Sequence, residues 1–383
     1  MVNKSLVRIN RPLITVIVPS YNHEPFLATR LRSISEQSYK NIEIILLDDA
    51  SDDNSVDTLE KFKQCEKRVV HTDYSSENSG QTNSQWIKGV EKAQGDFIWI
   101  AESDDVAKPD FLAVLLEEFV VNENIALAYC DSLIIDKQGS SIGGYDYASK
   151  NYKNIWDKSF IKDGTELIRD YFVFSNVIPN VSAVLFKKEH LQKALVVNDF
   201  KYCGDWSCYI RLAIKYKISF VSQKLNQFRQ HENTTRNHDV KSYNVALKEK
   251  ISLLRLIRDS GINDCSRNIE ISLSQVYLNR DKHRRISKLI NILDKEHTAK
   301  HTVLYGYNDI CGILMKGSKN KRKIIAILDQ NRAGENCMGV PVVNIKSIDF
   351  RDIDVVVICS LSHREAMSNE LTSFGFEGVI IAV

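Results

Sequence analysis

The chain is 383 residues long, more than the roughly 100 to 200 residues usual for one domain, which predicts two domains or one large domain with an appendage. Its 43% hydrophobic and 26% charged residues are near globular averages and exclude a disordered, collagen-like or disulfide-scaffold protein. The 51 Lys and Arg against 49 Asp and Glu leave a net charge of +2, too little for a protein that coats nucleic acid. We therefore expect no nucleic-acid partner.

The eight cysteines are scattered, without a C-x-x-C pair or a Cys/His cluster at zinc-finger spacing. This usage predicts reduced thiols in the cytoplasm. The N-terminal apolar stretch is too short for a signal peptide, and no segment approaches the roughly 18 apolar residues of a membrane-spanning helix. The sequence therefore predicts a cytoplasmic protein.

From residue 13, short apolar runs alternate with amphipathic stretches of helical length, which is typical of an α/β domain on a largely parallel sheet. Strands are predicted over 13–18 and 42–47, with a helix over 25–37 between them. A third strand over 97–101 precedes a helix over 111–119. The later predicted elements of this domain are a strand over 181–186, a helix over 206–216 and an edge strand over 221–229.

The composition and the apolar pattern change twice in the second half of the chain. Residues 236–300 are rich in helix formers, with apolar residues three and four apart and more Lys and Arg than Asp and Glu, which predicts a basic helical connector. Residues 301–383 then alternate strands and helices again, which predicts a smaller α/β domain. The predicted domains are therefore 1–235, 236–300 and 301–383.

Acidic clusters end two strands of the first predicted domain, at 48–53 and at 102–105. Ligands of an open parallel sheet bind beyond the carboxyl ends of its strands. Crowded carboxylates repel one another unless a cation lies among them, so these clusters predict Mn²⁺ or Mg²⁺ bridging a diphosphate. The alternative is that these Asp side chains cap the following helices or form Asx turns.

Five segments carry a resemblance to a known family. In order they are VIVPSYNHEPFL, NIEIILLDDASDD, GVEKAQGDFIWIAESDD, GDWSCYIRL and FRQHENTT. Over about residues 12–236 they resemble the successive motifs of family 2 glycosyltransferases with the GT-A fold. The resemblance implies a mixed, mostly parallel α/β sheet flanked by helices. It also implies an inverting enzyme that moves a sugar from a nucleoside-diphosphate sugar to an acceptor hydroxyl, in bacterial surface polysaccharide or lipopolysaccharide biosynthesis.

The resemblance also implies roles for single residues. It places the metal at Asp104 and Asp105, while Glu102 stands where the family's D-x-D motif usually has its first Asp and ranks below them. His231 is implied as a further contact of the metal or the diphosphate. The implied nucleotide-sugar contacts are Pro19, Tyr21, Glu24, Asp48, Asp49, Gln81, Glu102 and Asp104.

Transfer requires a base for the proton of the acceptor hydroxyl, and the resemblance implies Asp205. Its segment, Tyr202 to Trp206, resembles the family's Glu-Asp pair, with Gly204 in place of the Glu. A single displacement needs no second carboxylate as nucleophile. The alternative is that Asp205 only caps the helix that follows.

The last predicted domain resembles the Rossmann-type accessory modules of bacterial polysaccharide-biosynthesis proteins. Gly306, Gly312 and Asp329 make up a partial dinucleotide-binding fingerprint. Dinucleotide binding and a packing or partner-binding role are both compatible with it.

Two other functions are alternatives to sugar transfer. A nucleotidyltransferase needs a glycine-rich loop with a basic residue after the first strand, and PSYNHEP offers none. A non-catalytic protein that keeps the fold and binds a nucleotide sugar or a partner is suggested by Glu102 and Gly204. The expected partners are the sugar donor and a glycan or lipid-linked acceptor. The connector and the basic run 316–323 suggest a peripheral contact with the inner face of a membrane, or only solvated faces.

Overall fold

The computed structural model describes residues 11–144, 155–178, 180–196, 200–231, 240–295, 301–319, 323–360 and 362–382. The chain divides into two compact units, Met1–Thr235 with Glu249–Leu273, and Arg236–Lys248 with Ser274–Val383. The predicted connector is thus shared between the units. Its residues 236–239 and 296–300, residues 232–235 of the last motif, and residues 320–322 of the basic run lie outside the described residues.

A ten-stranded sheet forms the centre of the first unit. Its helices and strands are β1 (Ile14–Ser20), α1 (Glu24–Ser35), β2 (Ile42–Asp48), α2 (Ser55–Cys65), β3 (Val69–Tyr74), α3 (Thr82–Lys92), β4 (Phe97–Ile100), β5 (Val106–Ala107), α4 (Phe111–Val121), β6 (Ile125–Ile135), β7 (Ser141–Gly144), β8 (Phe160–Asp163), α5 (Gly164–Leu167), β9 (Val184–Lys187), α6 (Lys188–Ala194), α7 (Gly204–Ala213) and β10 (Lys217–Arg229). The main strand order is β3-β2-β1-β4-β9-β6-β10-β5.

Parallel pairing in the middle of this sheet places the loops of the site side by side. β1 pairs in parallel with both β2 and β4, and Ser20 at the end of β1 pairs with Asp48 at the end of β2. All seven residues of β1 and of β2 are buried, which explains why their sequences are mostly apolar. β9 runs antiparallel to β4 and β6, so the sheet is mixed, as predicted.

Helices cover the sheet because their apolar residues recur at helical spacing. Leu27, Leu31 and Ile34 of α1 are buried in one core with Phe111 and Leu115 of α4 and the residues of the central strands. Trp99 of β4 lies in the same core. The acidic loop after β4 is therefore attached to the rigid centre of the unit.

Three predicted elements differ from the structure. The helix predicted at 206–216 begins at Gly204, so Asp205 lies in its first turn and Cys203 is the N-cap. The predicted edge strand is the thirteen-residue β10, which lies between β6 and β5 because it pairs with β6 along its length. The strand predicted at 181–186 is a 3-10 turn, Val181–Ala183, followed by β9.

Two long helices, α8 (Val240–Asp259) and α9 (Ser266–Lys295), occupy the predicted connector. The second unit then continues with β11 (Thr302–Tyr305), α10 (Asp309–Gly317), β12 (Ile324–Leu328), β13 (Asn336–Cys337), β14 (Val340–Val343), β15 (Val355–Ile358), α11 (Arg364–Ser373) and β16 (Val379–Ala382). Its six-stranded sheet has the order β13-β14-β12-β11-β15-β16 and is parallel except for β13 with β14. A second sheet domain is therefore present, as predicted.

None of the helices in the described part of the chain is both long and apolar enough to cross a membrane.

Candidate active site

The loops after β1 and β2 are joined by a network of hydrogen bonds. Asn22 has a positive φ of 52°, which Asn tolerates better than most residues; its backbone N–H donates to Ser51 Oγ at 2.9 Å and its Oδ1 accepts from the Asp52 N–H at 2.9 Å. The Glu24 N–H donates to Asp53 Oδ2 at 3.0 Å. The side chain of Tyr21 is 46% exposed at the rim. These two loops form one wall at the carboxyl edge of the sheet.

Asp48 and Asp49 are both buried and both have partners within the chain. Asp48 accepts hydrogen bonds from the backbone N–H and the hydroxyl of Ser51 at 2.8 and 2.7 Å. Asp49 accepts from the hydroxyl of Ser79 at 2.7 Å and from Gln85 Nε2 at 2.5 Å. Gln81, the N-cap of α3, follows the same loop. Asp48 thus accepts hydrogen bonds from the residue three positions on in its own loop.

The loop after β4 gathers three ligand groups from distant parts of the chain. Ligand atoms of His23, Asp104 and His231 all lie within 4.8 Å of one another. His231 Nε2 lies 3.1 Å from Asp104 Oδ2, and His23 Nδ1 is hydrogen-bonded to Ser103 Oγ at 2.8 Å. The hydrogen bond with Ser103 fixes the orientation of the His23 ring.

The three carboxyl groups of this loop differ in pKa. Burial alone would raise the pKa of Asp104, but the hydrogen bond with His231 and the nearby His23 outweigh it, so its pKa lies below the ordinary value. Burial, followed by repulsion from Asp104, raises the pKa of Glu102 to about 8 and that of Asp105 to about 7. Asp104 is therefore the acid of the loop that ionises most readily.

Asp105 is held by the protein rather than presented to the other ligand groups. Its carboxylate accepts from Asn180 Nδ2 at 2.6 Å and from the Arg229 backbone N–H at 2.9 Å, and the residue is 1% exposed. Arg229 Nε also donates to the Asp104 carbonyl at 2.7 Å. The structure thus groups His23 with Asp104 and His231, and engages Asp105 in fixing the loop.

Arg30 is hydrogen-bonded to Glu102 in the loop after β4. Glu102 Oε1 accepts from Trp86 Nε1 at 2.8 Å, and Trp86 is 5% exposed, so it belongs to the core. Arg30 is fully buried, donates from Nε to the Glu102 carbonyl at 2.8 Å and lies 4.9 Å from the centre of the Trp99 ring. Burial lowers its pKa to about 10, so the guanidinium stays charged and offsets part of the negative charge of the acids.

Asp205 lies in the first turn of α7, oriented by an amide. Asn176 Nδ2 donates to Asp205 Oδ2 at 2.9 Å, and Asn176 Oδ1 accepts from the Ile178 N–H at 3.2 Å. Asn180, only four residues after Asn176, binds Asp105, so the chain between them spans at most about 14 Å. One short segment therefore reaches both the acidic loop and Asp205.

Gly204 leaves room for a side chain of α3. A Cβ added at Gly204 would lie 2.0 Å from Asn83 Nδ2. Asn83 and Trp86 are three residues apart on α3 and so share one face, and Trp86 binds Glu102. The face of α3 that meets the acidic loop thus also meets the start of α7.

Comparison with known proteins decides the class of this unit. Residues 15–166, from β1 to α5, match the family model described as glycosyl transferase family 2.

The chain carries a family 2 glycosyltransferase domain. An uncharacterized glycosyltransferase of Haemophilus influenzae is 26% identical over 290 residues, which cover 73% of this chain and 85% of that protein. The putative teichuronic acid biosynthesis glycosyltransferase TuaG of Bacillus subtilis is 30% identical over 141 residues, 37% of this chain. The match spans 55% of the length of TuaG. The relatives that share this domain are thus named as glycosyltransferases, and TuaG is named for teichuronic acid biosynthesis.

Solved structures show the same fold at low sequence identity. TarS 1–349 of Staphylococcus aureus in complex with UDP-GlcNAc has a TM-score of 0.52 at 15% identity, covering 73% of this chain and 80% of that one. The mannosyltransferase PcManGT of Pyrobaculum calidifontis, in complex with GDP-Man and Mn²⁺, has a TM-score of 0.51 at 16% identity, covering 82% and 83%. The GT-A fold predicted from the sequence is confirmed.

Several residues of the candidate site were not predicted from the sequence. They are His23, Arg30, Asn83, Asn176, Asn180 and Arg229. His23 lies inside the PSYNHEP motif, so its position after β1 was the available signal. The others are single polar residues in otherwise ordinary helices, strands or loops, and only the fold brings them to the site.

The close approach of Asn83 to Gly204 predicts that Gly204→Ala lowers stability. The new methyl group displaces the Asn83 amide, and the expected loss of unfolding free energy is about 1–3 kcal/mol. The second change Asn83→Gly is expected to restore most of it. Calorimetric thermal midpoints of the full chain measure both effects.

Gly312→Ala in α10 is the matched control, because no atom lies within 4 Å of a Cβ added there; it should leave the midpoint unchanged or raise it. Equal midpoints for Gly204→Ala with and without Asn83→Gly would contradict the contact.

Proposed function

We propose that the glycosyltransferase domain transfers a sugar, with inversion at the anomeric carbon, from a nucleoside-diphosphate sugar to an acceptor hydroxyl. Asp205 is the base, and His23, Asp104 and His231 hold a divalent cation. The observation that carries the proposal is the cluster of two imidazoles and one carboxylate at the carboxyl edge of β4, in a domain of a family whose members are sugar transferases.

The donor set fits a transition metal better than magnesium. Mg²⁺ takes oxygen ligands, whereas imidazole nitrogens favour ions such as Mn²⁺. Of the two ions expected from the sequence, the two His ligands support Mn²⁺, the ion found in the PcManGT structure. A cation bound here supplies positive charge that stabilises the departing nucleoside diphosphate.

The protein's own groups perform the remaining tasks. The Asp205 carboxylate takes the proton of the acceptor hydroxyl while that oxygen forms its bond to the anomeric carbon and the bond to the diphosphate breaks. Asn176 keeps the Asp205 oxygen in place through its 2.9 Å hydrogen bond. Pro19, Tyr21, Glu24, Asp48, Asp49 and Gln81 are proposed to line the nucleoside pocket, and Glu102 to lie beside the diphosphate.

The donor is proposed to be a UDP- or GDP-linked sugar, since the two structural neighbours hold UDP-GlcNAc and GDP-Man. The acceptor is proposed to be a glycan or a lipid-linked glycan of a bacterial polysaccharide, a proposal supported by the likeness to TuaG. Peripheral contact with the inner face of the membrane belongs to the same proposal.

For the second unit we propose a packing or partner-binding role rather than dinucleotide binding. Asp329, the acid of the partial fingerprint, accepts from the Tyr307, Asn331 and Arg332 N–H groups. Asn308 Oδ1 accepts from the Ile310 and Cys311 N–H groups that begin α10. These bonds use the acid and the helix terminus that a dinucleotide would need.

A thermal-shift screen of the full chain against UDP, GDP, dTDP and CMP, with and without Mn²⁺, tests the proposed function. We expect one nucleoside diphosphate to raise the thermal midpoint in a Mn²⁺-dependent manner, because the metal joins the diphosphate to the protein. Shifts that are equal with and without Mn²⁺, or no shift with any nucleotide, would contradict the proposal.

A further inference from the structure

Glu249 of α8 binds the backbone directly before Asp205. Its carboxylate accepts from the N–H groups of Lys201, Tyr202 and Cys203 at 2.8, 2.9 and 2.9 Å. Glu249 belongs to the first unit and is 8% exposed. A buried carboxylate with three N–H donors is strongly held, so the three residues before α7 are fixed by a side chain some 46 to 48 positions further along the chain.

The next residue, Lys250, holds the other segment that contacts Asp205. Lys250 Nζ donates to the Phe174 carbonyl at 2.6 Å and lies 5.6 Å from the centre of the Trp206 ring. Burial lowers the pKa of Lys250. Asn176, two residues after Phe174, is the residue whose amide binds Asp205.

Two consecutive residues of α8 therefore bind the two chain segments that meet at the Asp205 carboxylate. Residues 201–203 and 173–178 contain no β-strand or α-helix of their own. The backbone N–H groups of residues 173–175 bond to the helical turn directly before them. Glu249 fixes the segment that leads into Asp205, and Lys250 fixes the segment that carries Asn176. α8 thus supplies the rigid reference for the position of Asp205.

We propose that Glu249 and Lys250 are positioning residues for Asp205, through which they act on sugar transfer. The inference rests on the proposed role of Asp205 as the base. A displacement of about 1 Å at a reacting group can cost roughly 10²-fold in rate, so loss of either anchor slows the chemical step without removing a contact to the donor.

Glu43 provides a matched control for a merely structural role. It is 5% exposed and also holds backbone, accepting from the Gln94 N–H at 2.6 Å and the Gly95 N–H at 3.3 Å. It is the second residue of β2, at the opposite end of that strand from Asp48. Glu43→Gln therefore weakens a comparable buried anchor away from Asp205.

The test compares Glu249→Gln, Lys250→Met and Glu43→Gln in the full chain with Mn²⁺, using UDP-GlcNAc and GDP-Man as probes and nucleoside diphosphate release as the readout. For Glu249→Gln we expect kcat to fall by about 10- to 100-fold and the donor KM to change by less than about threefold. Lys250→Met should change kcat in the same direction. Glu43→Gln should keep kcat, per folded molecule, within about threefold.

Hydrogen exchange of the same variants supplies a readout that does not depend on turnover. Glu249→Gln should speed amide exchange at 201–206, whereas Glu43→Gln should speed it at 94–95. Unchanged exchange at 201–206, or an equal fall of kcat in both variants, would overturn the positioning role.

Asp205→Asn separates this inference from the proposed function. If Asp205→Asn leaves nucleotide release unchanged, Asp205 is not the base, and the positioning role of Glu249 and Lys250 is overturned as well. If Asp205→Asn slows release but Glu249→Gln does not, the base stands and only the positioning role is overturned.

Discussion

Asp205→Asn is expected to lower the rate constant for nucleoside diphosphate release by about 10²- to 10⁴-fold, the usual contribution of a general base. The amide is nearly isosteric and its carbonyl oxygen can still accept from Asn176 Nδ2, so the site keeps its shape. The donor KM should change by less than about threefold, because Asp205 acts on the acceptor. Steady-state kinetics with the donor selected by the thermal-shift screen measure both quantities.

Asp57→Asn distinguishes catalysis from helix capping. Asp57 is an exposed acid in the first turn of α2, as Asp205 is in the first turn of α7, so both changes remove a similar favourable interaction with the helix N-terminus, about 0.3–1 kcal/mol. We expect Asp57→Asn to leave turnover within about twofold. Similar small effects for the two variants would mean that Asp205 only supports its helix.

His23→Ala is expected to weaken Mn²⁺ binding by at least about tenfold, because it removes one of three ligand groups and even supporting residues of metal sites contribute that much. Asp104→Ala and His231→Ala should act in the same direction. Calorimetric titration of Mn²⁺ into the full chain measures the affinity. His71→Ala, at a half-buried position on β3, controls for unspecific binding and should leave the affinity unchanged.

The same titration distinguishes the ligand set of the structure from that expected from the sequence. Asp105 was expected as a ligand, but its carboxylate is bound to Asn180 and to the Arg229 backbone. Asp105→Asn should therefore lower the thermal midpoint, while the Mn²⁺ affinity of the folded protein should change little. Unchanged affinity in His23→Ala together with a large loss in Asp105→Asn would restore Asp105 as the ligand.

The sequence predicted the part of the fold that depends on local pattern. β1, β2 and β4 were recognisable because strands buried on both faces have mostly apolar sequences. The acids at their carboxyl ends were recognisable for the same reason, since the strand ends give their positions. The family resemblance then supplied roles for them that local pattern does not contain.

The contacts that complete the site depend on tertiary structure. His23 meets Ser103 across 80 positions, Arg30 meets Glu102 across 72, and Arg229 meets Asp105 across 124. The periodicity of a single segment cannot predict contacts between residues so far apart along the chain. The ligand role of Asp105 stays a prediction. Its carboxylate accepts hydrogen bonds from Asn180 and from the Arg229 backbone, which no local pattern in the sequence predicts.

The most direct test of the account is calorimetric titration of the selected nucleoside diphosphate into wild type and Asp104→Ala, each with and without Mn²⁺. The account predicts binding to wild type that is at least about tenfold tighter with Mn²⁺, and loss of that gain in Asp104→Ala. Equal Mn²⁺ dependence in both proteins would show that the metal binds elsewhere and would contradict the site at His23, Asp104 and His231.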